Sequence, residues 1–67
     1  MSTIMVNGDS RALTPGQTVA GLLASLGLDQ RKVAVERNAS IVPRSTYDST
    51  ALAPADQIEI VHFIGGG

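Results

Sequence analysis

A small α+β domain, with one main helix packed on one face of a mixed sheet of four to five strands, is the fold class this sequence predicts. Three observations carry that prediction. The chain has 67 residues, enough for a single core. Short β-branched or alternating apolar stretches, the mark of half-buried strands, recur near both ends and in the middle. Only one stretch spaces its apolar residues at the helical period, so a single helix must serve the whole sheet.

The elements follow in order. "TIMV" (3–6) is short, β-branched and apolar, and runs into Asn7-Gly8, a pair that supplies the positive φ angles of a tight hairpin turn. A second strand is expected near Ser10 to Leu13. "TPGQ" breaks the pattern. Val19, Leu22, Leu23 and Leu26 then stand at i, i+3, i+4 and i+7, one apolar stripe of a helix of about ten residues. Thr18 is placed to cap its start and Gly27 to close its end. "KVAVERN" sets Val33 and Val35 against Ala34 and Glu36, as a strand does; "NAS" turns the chain; "IVP" makes a short strand stopped by Pro43. Residues 44–56 read as irregular, with one apolar anchor at Leu52. In the final strand, "QIEIVHFI", Ile58 and Ile60 point one way and Glu59 and Val61 the other. One helix covers one face, so the second face should meet water. That arrangement is a β-grasp, expected over residues 1–64, with 65–67 a flexible glycine tail.

The core must be built from aliphatics, Ile41 and Val42 among them, because Tyr47 and Phe63 are the only aromatic residues. An apolar fraction of 43% is too high for a disordered chain. There is no cysteine, which excludes disulfides and internal thiol chemistry. A formal charge of −1 makes no case for nucleic acid, and no apolar run approaches the roughly 20 residues a bilayer requires. A cytoplasmic protein, monomeric when free, is expected.

Candidate chemistry inside the domain is sparse. "GQTVAG" (16–21) has P-loop glycine spacing, but Leu22 and Leu23 stand where Lys and Ser/Thr are needed. A turn glycine and a closely packed helix glycine explain it better. His62, the only histidine, has no nucleophile or orienting carboxylate suggested by the sequence order. Six carboxylates lie scattered over turns and strand edges, so neither paired-carboxylate catalysis nor a metal site is expected.

That leaves "VHFIGGG" at the end of the chain. Glycine loses the most freedom on ordering and packs nothing. Here three of them follow the firmest strand without a polar spacer, and Val61, Phe63 and Ile64 set apolar groups around its exit. The pattern points to a docking patch beside a slender arm. Gly65 and Gly66 give clearance in a narrow channel, and the α-carboxylate of Gly67 is the group delivered.

The β-grasp pattern, "GQTVAGLLASLGL", "VAVERNASIVPRS" and "DQIEIVHFIGGG" together resemble the ubiquitin-like sulfur carriers of the ThiS/MoaD superfamily, and within them the ThiS-type carriers of thiamine biosynthesis. The resemblance covers most of the chain; a third glycine, where many members end in two, is its small departure. It implies that Gly67 is adenylated by a ThiF-type adenylyltransferase, which uses ATP and magnesium. Sulfur from a cysteine desulfurase then gives a C-terminal thiocarboxylate that serves thiazole synthase, ThiG. The chain itself would be a carrier and not an enzyme, with no cofactor of its own. Arg44 matches the family's "VPR" segment without an evident role. A molybdopterin-type carrier and a ubiquitin-like protein modifier are the alternatives.

Overall fold

A computed structural model describes residues 2–63. Ile64, Gly65, Gly66 and Gly67, and with them the expected domain boundary, the tail and part of the docking patch, lie outside the described residues. Strands β1 (Thr3–Val6), β2 (Asp9–Ala12), β3 (Val33–Arg37), β4 (Ser40–Ile41) and β5 (Gln57–His62) form one sheet in the order β2-β1-β5-β3-β4. The last strand is therefore the central one. It runs parallel to β1 and antiparallel to β3, while the two hairpins are antiparallel. Helix α1 (Val19–Ser25) buries Val19, Leu22 and Leu23 against Ile4, Val6, Val33, Val35, Ile58 and Ile60. The expected β-grasp is the observed one. No helix among the described residues is long and apolar enough to cross a membrane.

Local chemistry explains each boundary. Asn7 and Gly8 have φ of 50° and 86°, as the hairpin demands, so β2 starts at once at Asp9. All of β2 is exposed, and its Asp9 and Arg11 charge an edge that would otherwise invite pairing. The Thr18 hydroxyl accepts from the Gly21 N–H at 3.1 Å, as its capping position predicts. The helix is shorter than its apolar stripe. Gly27, at φ 72°, donates to the Ala24 carbonyl and Leu28 to that of Leu23, both at 3.0 Å. This paired closure ends the helix within Leu26, and Leu26 and Leu28 pack half-buried on the way out.

Three expectations need correction. Ile41 is 68% exposed instead of buried. The two-residue turn at Asn38-Ala39 fixes Glu36 opposite Ile41, and strand alternation then lets only Val42 turn inward. Tyr47 belongs to the core, at 2% exposed, and its hydroxyl lies 3.4 Å from the Val33 carbonyl. The stretch after Pro43 is more ordered than its composition suggests. A 3₁₀ turn (Arg44–Thr46) leads into Tyr47, and the Tyr47 and Thr50 carbonyls accept from Ala20 and Val19, two donors the helix start cannot satisfy itself. Leu52 is buried there as expected.

The second hairpin carries a measurable strain. Ala39 sits at φ 70°, a left-handed conformation that costs a side-chain-bearing residue roughly 1–2 kcal/mol. Ala39→Gly removes that cost against a loss of about 0.5–1 kcal/mol in chain entropy. A thermal melt should therefore rise by about 2–4 °C; an unchanged or lower midpoint contradicts the strain.

Candidate docking face and tail exit

The functional candidates gather on the helix-free face of the sheet, and the alternation of β5 puts them there. Ile58 and Ile60 enter the core, so Glu59, Val61 and, continuing the alternation, Phe63 point away from the helix. Val61 is 61% and Phe63 52% exposed. Register extends the surface sideways: Val61 lies opposite Ala34, Glu59 opposite Glu36, and Glu36 opposite Ile41. Ile41, Val61 and Phe63 are the exposed large hydrophobics among the described residues, and all three share this face. Exposed apolar side chains concentrated on one face mark an interaction surface. Between Ile41 and β5, Glu36 and Glu59 oppose like charges across adjacent strands, an unfavourable placement for stability alone.

The strand that leads to the tail is held by side chains at its start and along its length. Asn7 is more than a turn residue. Its Oδ1 accepts from the Ile60 N–H at 2.7 Å and its Nδ2 donates to the Ile60 carbonyl at 3.1 Å, replacing a strand partner where β1 has ended. At the start of β5, Asn38 Oδ1 accepts from the Gln57 N–H at 2.9 Å, and Asn38 Nδ2 donates to Asp56 Oδ1 at 3.0 Å. Asp56, 5% exposed, also accepts from Arg37 Nε and the Ala53 N–H, both at 2.8 Å. Burial opposes its ionisation, but the bonds from Arg37, Ala53 and Asn38 outweigh burial and hold the carboxyl below its ordinary range. At the other end Phe63 donates its N–H to the Lys32 carbonyl at 2.9 Å, keeping the chain on the sheet to the last described residue.

The remaining candidates stay apart from this face. His62 pairs with Val33 and so lies toward the helix side, beside a shallow depression that contains Asp9 and Arg11 but no hydroxyl side chain. Gly16 occupies a turn, whereas Gly21 is exposed. A methyl group added there would meet Thr18 Oγ1 at an ordinary 3.5 Å, so close packing does not require this glycine. No group of three or more His, Asp or Glu among the described residues could hold a metal. Asn7, Asn38, Asp56 and Ile41 were not legible as parts of the site. A turn-forming asparagine carries no mark of its long-range bonds, and which of two adjacent apolar residues faces out depends on register.

The described domain is thus a ubiquitin-like β-grasp whose central strand carries an exposed apolar strip as far as Phe63, the last described residue. The chain belongs to the ThiS family, whose sequence model matches residues 4–67. It is 52% identical over 64 residues to a thiazole synthase of Paramagnetospirillum magneticum, a match covering 96% of this chain and 20% of that protein. To the sulfur carrier protein ThiS of Bacillus subtilis it is 48% identical over 50 residues, 75% of this chain and 76% of that one. The crystal structure of the thiamine biosynthesis protein ThiS from Geobacter metallireducens matches it with a TM-score of 0.81 at 31% identity, covering 97% of this chain and 99% of that one. The chain spans about a fifth of the length of the thiazole synthases it matches.

Proposed function

We propose that this chain is a sulfur carrier for the thiazole moiety of thiamine, and that the carboxylate of Gly67 is the group that carries the sulfur. The observation that carries the reading is the run of glycines that closes the sequence two residues after the central strand, with Val61 and Phe63 exposed at the end of that strand. A carboxylate is resonance-stabilised and acylates poorly. A ThiF-type adenylyltransferase bound on the helix-free face takes the tail into its active site. There a Gly67 oxygen attacks the α-phosphorus of ATP, magnesium assists, and pyrophosphate leaves. Persulfide sulfur supplied through a cysteine desulfurase then attacks the mixed anhydride and expels AMP, and a thiol cleaves the resulting acyl disulfide reductively to the thiocarboxylate. The resulting thiocarboxylate is a soft nucleophile that delivers sulfur to thiazole synthase.

Gly65 and Gly66 admit the arm to a narrow channel, and Val61, Phe63 and Ile64, joined by Ile41, form the docking surface. The thiazole synthases that hold a stretch 52% identical to nearly this whole chain support that enzyme as the acceptor. Family membership supports the carrier chemistry. The domain turns over nothing itself.

Intact-mass measurement after incubation with the activating enzyme, magnesium, ATP, desulfurase, cysteine and a thiol reductant tests the reading. One oxygen of the chain should be replaced by sulfur, and fragmentation should place the change at Gly67. A stable amide to a lysine of another protein, or an unchanged mass, overturns it.

A further inference from the structure

Arg44 stands where the docking face meets the exit of the tail. Its Nε donates to the Gln30 carbonyl at 2.9 Å and its Nη2 to the Val33 carbonyl at 3.0 Å. The Cζ atom lies 5.8 Å from the centroid of the Phe63 ring, within range of a cation–π contact. Phe63 is tied by its own N–H to the Lys32 carbonyl. Both residues are thus fastened to one short stretch, 30–33, Arg44 by the edge of its guanidinium and Phe63 by its backbone. The guanidinium face is left for the ring. Arg44 enters no ion pair among the described residues, so its geometry serves these contacts and not charge neutralisation.

We infer that Arg44 is a positioning residue for sulfur loading: it holds Phe63 in place on the docking face that the activating enzyme must recognise. This rests on the carrier function proposed above. The planar fork is essential to the arrangement. An ammonium can neither span two carbonyls in one plane nor present a flat face to a ring, so lysine is a poor substitute. Phe63 is half exposed and followed by the last four residues of the sequence. Without its clamp the ring can swing over the face that the activating enzyme must recognise. The core is tied elsewhere, through Tyr47 and the strands, so the domain itself need not suffer.

The full chain is compared as Arg44→Ala, Arg44→Lys, Phe63→Leu, Phe63→Tyr and the double variant Arg44→Ala/Phe63→Leu. The readouts are the heteronuclear NOE of the Phe63 amide, the melting temperature, and KM and kcat for adenylation. Arg44→Ala and Arg44→Lys should raise KM about two- to fivefold, the strength of one exposed cation–π contact, with kcat unchanged. Both should lower the Phe63 NOE. Phe63→Tyr, which keeps the ring, should leave the NOE of the residue-63 amide at its wild-type value, and the double variant should be no worse than Phe63→Leu. An unchanged KM beside a lower melting temperature makes Arg44 merely structural and overturns the inference. A fully additive double variant overturns it too, because Arg44 then touches the partner itself. A wild-type chain that is not adenylated sinks the functional reading and this inference with it, whereas adenylation indifferent to Arg44 sinks the inference alone.

Discussion

Asp56→Ala is expected to lower stability by roughly 2–4 kcal/mol, because it removes three hydrogen bonds to one buried carboxylate. In a 67-residue domain that is a fall in melting temperature of about 10–30 °C. The total stability of such a chain is roughly 3–10 kcal/mol, so the variant stands at the edge of unfolding. Arg37 remains 35% exposed and can be rehydrated, which moderates the cost. The Ala53 N–H and Asn38 Nδ2 lose their carboxylate acceptor at the very start of β5. Asp56→Asn should fall between the two, because an amide keeps one acceptor but turns its NH₂ toward a donor. A melt within 3 °C of wild type, about half a kilocalorie on the same scale, would mean that the Asp56 network does not hold the central strand.

The same network sets the acid limit. The folded-state pKa of Asp56 is depressed, so its stabilisation is complete above the unfolded value of about 3.9 and is lost as pH falls through the folded value. Asp29 behaves alike. The Arg31 side chain first, then its backbone N–H, bring Asp29 down to about 2 on the exposed surface. Wild-type stability should therefore decline between about pH 4 and pH 2. Asp56→Ala should show a shallower decline over that window, since one of the responsible groups is gone.

Much of this fold was legible where a single local rule decides. Asn7-Gly8, the Thr18 cap, Gly27 and the alternation of β5 each act within a few residues, and each appears as read. The exposure of Val61 and Phe63 follows from that alternation and from one helix covering one face. What was hidden depends on distant chain. Tyr47 reaches the core because a 3₁₀ turn after Pro43 re-aims the backbone and the helix start donates to the carbonyls of Tyr47 and Thr50. Ile41 is outward because the hairpin register, not hydropathy, chose between it and Val42. Asn7 bonds to Ile60, 53 residues away, and no spacing rule announces such a partner. Arg44 was visible only as part of "VPR"; its role rests on three groups brought together from residues 30, 33 and 63.

The other large effect is expected at the extreme C-terminus. If the Gly67 carboxylate is the reacting group, one alanine appended after it moves that carboxylate by one residue, about 3.5 Å, and adds a methyl group where the arm has none. A near-attack geometry tolerates about 1 Å of misplacement before rates fall on the order of a hundredfold. The extended chain should therefore fold with the wild-type melting temperature yet gain no sulfur. The direct measurement is the intact mass of wild-type and extended chains after the same loading reaction. The account predicts exchange of oxygen for sulfur in the wild type alone. Equal loading of both chains, with the added alanine still in place, would contradict it.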